Sequence, residues 1–120
     1  MSSVLLAEDE FLIRAVLVDA LGDAGFSCIE AQTGQEAINV LAGDQPLLAV
    51  IVDLGLPDMP GLRVIEAAAK HRPSTPIIQC SGSNVAAPVI AGRQVHVFPK
   101  PYNPEELSKF VAALVARGGG

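Results

Sequence analysis

Glu8, Asp9, Asp53, Ser81 and Lys100 each stand at or just beyond the end of a short apolar run in this 120-residue chain. If those runs are strands of one parallel sheet, their carboxyl ends converge on a common rim, where ligands of open α/β sheets sit. Three carboxylates brought within roughly 5 Å repel each other by about 3 kcal/mol per pair at an effective dielectric of 20. Such a cluster takes up protons or holds a divalent cation. A small set of hard oxygen ligands suits Mg²⁺, which keeps several waters and binds readily beside a phosphate. A hydroxyl and an ammonium group at the same rim would hold that phosphate's oxygens. The parts match phosphoryl transfer, in which catalysis is mostly positioning and charge neutralisation, and a carboxylate beside the metal is a candidate nucleophile. Each residue also has a plainer use. Asp53 and Ser81 could be turn formers, Glu8 and Asp9 first-turn charges favoured by a helix dipole, and Lys100 a solvated lysine.

The elements that must position these residues alternate along the chain. Residues 4–7 read as a buried strand, followed by a helix over about 10–24 with Ile13, Val16, Leu17, Ala20 and Leu21 as its core stripe and Gly25 as its stop. Residues 27–31 form a second strand, and Thr33 to Glu36 has the spacing of a capping box opening a helix to about Ala42. Residues 47–52, β-branched at Val50, Ile51 and Val52, read as a strand buried on both faces that delivers Asp53 into a loop rich in Gly and Pro. A third helix runs from Pro60 or Gly61 to His71 with Leu62, Ile65 and Ala69 inward. Residues 76–80 and 95–98 are the last strands. Between them, residues 84–93 make a poor helix because Pro88 and Gly92 interrupt it. Asn103, Pro104 and Glu106 supply the N-cap, N1 and N3 of a final helix with Leu107, Phe110, Val111 and Leu114 inward. Five strand–helix alternations predict one α/β domain over residues 1–117, a parallel sheet covered on both faces, with 118–120 as a flexible tail. There is no internal repeat and no linker to a second domain.

Composition narrows the function classes. Half the residues are hydrophobic, which excludes disorder, and the net charge of -5 argues against direct nucleic-acid binding. No apolar run approaches the roughly 18 residues of a membrane span, and the N-terminus lacks the basic region and cleavage site of an export signal. Cys28 and Cys80, without metal-ligand spacing, read as small buried hydrophobes in a reducing cytoplasm, with a disulfide or redox role as the alternative.

The chain resembles the receiver domain of two-component response regulators over essentially its full length. The resemblance rests on Glu8-Asp9 after strand one, Asp53 within VDLGLPDMPG, Ser81-Gly82 after strand four and Lys100-Pro101 after strand five. It implies a flavodoxin-like doubly wound (βα)5 fold with strand order 2-1-3-4-5. It implies that Asp53 accepts a phosphoryl group from a phosphohistidine on a histidine kinase or histidine phosphotransfer protein. The cofactor would be Mg²⁺, bound by Asp9, Asp53 and the backbone carbonyl of Gly55, with Glu8 acting through a water. Ser81, Gly82 and Lys100 would hold the phosphoryl group, and the Lys100–Pro101 bond would be cis. The output would be altered contact with a downstream protein, without nucleic acid or membrane. The chain's own chemistry would stop at phosphoryl uptake and slow hydrolysis, so it would not be an enzyme. It would be a cytoplasmic receiver, stand-alone or cut from a longer protein such as a hybrid kinase.

Two features depart from that pattern. Receivers usually carry a Phe or Tyr three residues before the lysine, a ring that swings inward on activation. Here the position is Val97, and Phe98 and His96 must face the other side of the strand. The span from Ser81 to Lys100 is also shorter than usual, and residues 76–82, with Gly82 after the hydroxyl residue, resemble a mostly single-domain receiver subgroup without the aromatic, so switching is expected to work by ordering residues 82–92 around the phosphate. Phe11, Leu12, Ala15 and Val18 form a second apolar stripe beside the acidic rim, a docking surface for the phosphodonor or simply leftover apolar surface. Three rivals remain. A small phosphatase with Asp53 as nucleophile would want a second Asp where Gly55 stands. A flavodoxin-like cofactor binder would want a phosphate cradle where Glu8-Asp9-Glu10 would repel it. A degenerate receiver would act as a phosphorylation-independent interaction module.

Overall fold

The computed structural model describes residues 3–81, 89–90, 93–99 and 103–117, of which 89, 90, 93 and 94 by backbone alone. Its elements run β1 Ser3–Ala7, α1 Phe11–Asp23, β2 Ser27–Ala31, α2 Gly34–Ala42, β3 Leu47–Asp53, α3 Gly61–His71, β4 Ile77–Ser81, β5 Val89–Ile90, β6 Arg93–Gln94, β7 His96–Pro99 and α4 Pro104–Ala116. Five parallel strands form one sheet in the order β2-β1-β3-β4-β7. With the small antiparallel pair β5–β6 set aside, this is the expected order 2-1-3-4-5. That pair lies in the stretch where Pro88 and Gly92 discouraged a helix.

Side-chain alternation splits the apolar residues into two cores, one on each face of the sheet. Leu5, Ala7, Val50, Val52 and Ile77 pack against Ala37 and Leu41 of α2 and Val64, Ile65 and Ala68 of α3. Val4, Leu6, Ala49, Ile51, Ile78 and Cys80 pack against Leu17 and Leu21 of α1 and Leu107, Val111 and Leu114 of α4. Val50, Ile51 and Val52 in the centre of the sheet are all buried, as a strand covered on both faces requires. Among the described residues no helix is long and apolar enough to cross a membrane.

The helix ends follow local chemistry. Gly25, at φ 94°, lets the Phe26 N–H return to the Leu21 carbonyl at 2.9 Å and close α1. Thr33 Oγ1 accepts the Glu36 N–H at 3.1 Å, and Glu36 Oε1 accepts the Gln32 N–H at 2.8 Å. Asn103 Oδ1 accepts the N–H groups of Glu105 and Glu106 at 2.8 and 3.3 Å, with Pro104 in the first turn. α2 is also tied from outside at both ends. Asp58 accepts from the N–H groups of Gly34 and Gln35, and the Arg72 guanidinium donates to the carbonyls of Val40, Leu41, Gly43 and Gln45.

Three sequence expectations need correction. Val16, assigned to the core stripe of α1, is 51% exposed, while Arg14 takes the inward position with Leu17 and Leu21. Val18, assigned to the docking stripe, is half-buried and packs against the α1–α4 core. Leu62 is exposed, and Val64 and Ala68 join Ile65 and Ala69 on the inner face of α3.

Candidate functional site

Strand register decides which side chains meet. Ala7 lies opposite Val52, so Glu8, one residue past β1, stands beside Asp53 at the end of β3. Asp53 in turn lies opposite Cys80, and Ser81 is the next residue of β4. Carboxylate oxygens of Glu8, Asp9 and Asp53 all lie within 4.8 Å of one another. Glu8 and Asp53 are buried, at 2% and 6% exposure, whereas Asp9 is exposed. The cluster is therefore closed on the sheet side and reaches solvent on the Asp9 side.

Backbone groups hold these carboxylates. The Glu8 N–H donates to the Ala31 carbonyl at 3.0 Å, which prolongs the β1–β2 ladder by one residue, and Glu8 Oε2 accepts the Glu10 N–H at 3.1 Å. Asp53 Oδ1 accepts the Gly55 N–H at 3.2 Å, an Asx-type turn that bends the chain out of β3. Behind that turn Gly61 presses on the backbone. A Cβ there would lie 2.6 Å from Leu54 Cα and 2.8 Å from the Asp53 carbonyl oxygen. Ser81 is buried, and its hydroxyl accepts a long hydrogen bond, 3.4 Å, from the Gln79 amide.

At 4.8 Å and an effective dielectric of 20, each carboxylate pair repels by about 3 kcal/mol, less for pairs that include the exposed Asp9. A divalent cation relieves that repulsion, and an all-oxygen donor set with two buried members suits a hard one.

Residues 4–112 match the response regulator receiver domain. This chain belongs to that family. The transcriptional regulatory protein PmrA of Pectobacterium parmentieri is 32% identical over 98% of this chain and 54% of its own length. The transcriptional regulatory protein SrrA of Staphylococcus aureus is 31% identical over 97% of this chain and 48% of its own. The chain thus spans about half the length of the curated relatives it matches. Among solved structures, a response regulator receiver protein from Sinorhizobium medicae superposes with a TM-score of 0.80 at 28% identity, covering 96% of this chain and 94% of that one. Chemotaxis protein CheY4 of Vibrio cholerae gives 0.78 at 27%, covering 94% and 98%.

Of the receiver positions expected from sequence, Glu8, Asp9 and Asp53 converge, Gly55 lies in the turn after Asp53, and Ser81 ends the neighbouring strand. Gly82, Lys100 and the cis bond assigned to Lys100–Pro101 lie outside the described residues, as does most of the 82–92 segment assigned to switching. Phe11 and Leu12 are 68% and 70% exposed and Ala15 is exposed; with Val18 turned inward, Val16 completes that patch. His96 and Phe98 share one face of β7, their rings 5.8 and 5.6 Å from that of Phe110, so Val97 indeed points the other way.

Sequence reasoning missed Arg14 and Gln79. Each is a polar residue inside an apolar run, and that interruption was the available signal. It read Cys28 as a small buried hydrophobe, with a disulfide or redox role as the alternative. Burial, with the Glu30 charge added, pushes its thiol up to about 11, so it is inert as a nucleophile at neutral pH. Neither cysteine forms a disulfide.

Proposed function

We propose that Asp53 is the phosphoacceptor of this receiver. The observation that supports it best is the meeting of buried Asp53 with Glu8 and Asp9 at the carboxyl rim of the sheet. A carboxylate oxygen of Asp53 attacks the phosphorus of a phosphohistidine. The P–N bond breaks, and the imidazole nitrogen leaves with the electron pair and takes up a proton. The Gly55 N–H fixes one oxygen and hence the plane of the attacking carboxylate. Asp9, Asp53 and the Gly55 carbonyl, with Glu8 through a water, would hold Mg²⁺, whose chemistry is neutralisation of charge on the transferring group. Because Gln79 donates to Ser81 Oγ, the serine proton can be directed at a phosphoryl oxygen. Gly82, Lys100 and the Lys100–Pro101 bond keep the roles that the family resemblance implies.

The donor is a histidine kinase or histidine phosphotransfer protein docking on Phe11, Leu12, Ala15 and Val16, beside the acidic rim. Phosphorylation then alters contact with a downstream protein in the cytoplasm, and slow hydrolysis of the acyl phosphate ends the signal. Incubation with a small phosphodonor and Mg²⁺, followed by intact-mass measurement, tests the assignment. Wild type should gain one phosphoryl group and Asp53→Asn none. No gain in either would turn the reading toward a phosphorylation-independent interaction module.

A further inference from the structure

Arg14 sits on the inner face of α1, although the sequence pattern placed it in neither apolar stripe, and is 5% exposed. A guanidinium leaves water at high cost unless its donors are used. Here Nε donates to Glu30 Oε1 on β2 at 3.0 Å. Nη1 donates to the backbone carbonyl of Glu8 at 2.9 Å and lies 3.4 Å from that of Asp9. Its carbon lies 5.7 Å from the Phe11 ring centroid. The two carbonyls belong to the residues whose carboxylates meet Asp53.

We propose that Arg14 is a positioning residue for the metal-binding acids. It fixes the peptide planes that carry Glu8 and Asp9 and so sets where their carboxylates stand. The inference rests on the reading of the cluster as a metal site. Two effects of Arg14 on a bound cation compete. Its charge repels the cation, and its hydrogen bonds pre-organise the ligands. The charge is already paired with Glu30, so its field at the cluster is small and the geometric effect wins. The two effects have opposite signs, which makes the proposal testable.

The experiment is a MgCl2 titration of ¹⁵N-labelled protein, read at the amides of Asp9, Asp53 and Gly55, with a thermal melt of each variant. Arg14→Met, which keeps the length and loses every donor, should bind Mg²⁺ about 10- to 100-fold more weakly, the range seen when outer-shell partners of metal ligands are removed. Arg14→Lys keeps the charge and can reach Glu30 or a carbonyl, though it lacks the fork that serves both; it should fall between Met and wild type. Should Arg14→Met fail to fold, Arg14→Lys alone decides. Wild-type or tighter Mg²⁺ binding by a folded variant, whatever its melting temperature, overturns the proposal and leaves Arg14 as a clip between α1 and β2. Absence of Mg²⁺-dependent shifts in wild type would instead remove the metal-site reading, and this inference with it.

Discussion

Replacing Asp53 with Asn should stabilise the metal-free protein while abolishing phosphoryl uptake. Asp53 takes part in two of the three carboxylate pairs of the cluster, each within 4.8 Å and worth about 3 kcal/mol of repulsion at an effective dielectric of 20. The pair with Asp9 is discounted, because Asp9 is exposed and salt screens it. The pair with Glu8 is between two buried groups and survives better, though neighbouring dipoles and cations offset part of it. Asn is isosteric, and its Oδ1 can still accept the Gly55 N–H now bound at 3.2 Å, so that contact is kept. A net gain of about 1–2 kcal/mol is left, or a rise in Tm of roughly 4–8 °C for a domain of this size. Millimolar MgCl2 should narrow or cancel that difference. At tenfold excess over Kd a ligand bound only by the folded state adds about 1.4 kcal/mol, an increment available to wild type and largely lost to the variant. Calorimetric or circular-dichroism melts in chelated buffer and in MgCl2 give both numbers. If Asp53→Asn melts below wild type without metal, or if the two gain equally from Mg²⁺, the acids are not held together against their own repulsion and the account of the site is wrong.

Gly61→Ala should lower stability by about 1–3 kcal/mol and slow phosphoryl uptake, because the new Cβ would meet the backbone of Leu54 and Asp53, which cannot rotate away. Gly34→Ala should cost less, since its Cβ would meet the flexible side chain of Met59, and urea unfolding of both variants checks the contrast. Leu12→Glu, at an exposed position, should leave the melt and the reaction with a small phosphodonor unchanged while slowing transfer from a phosphohistidine protein. Equal transfer rates would remove α1 from the docking surface. The Gly34 N–H, assisted by that of Gln35, holds the Asp58 carboxyl below its usual range. Its folded pKa is depressed, so its contribution is fully present above the unfolded pKa of about 3.9 and is lost as the pH falls through the lowered folded value. The stability gap between wild type and Asp58→Ala, followed by urea unfolding, should be constant near neutrality and close on that acid side; a gap that widens on acidification contradicts the capping role.

The acid cluster was legible because few local decisions fix it. Strand lengths and the burial of residues 50–52 set the register, and the register alone brings Glu8 beside Asp53. The faces of α1 were not legible. That helix is apolar nearly all round, so periodicity offered two stripes of similar merit and picked Val16 over Arg14. What settled the rotation was polar and tertiary, the demand of one guanidinium for Glu30 and two carbonyls. Asp58 was silent for the same reason, since its partners Gly34 and Gln35 lie 24 and 23 positions away and leave no periodic trace.

Strand alternation did read β7 correctly, and the packing carries the point further. Val97 pairs with Gln79, whose amide meets the Ser81 hydroxyl, so Val97 occupies the side of the sheet where a switching ring would stand. The rings of His96 and Phe98 lie on the opposite side against Phe110 of α4. For Phe98 to take over the inward swing it would have to leave that contact and cross the plane of the sheet, which strand geometry forbids without a register slip. Among the described residues, neither ring of β7 is therefore placed to make that inward swing.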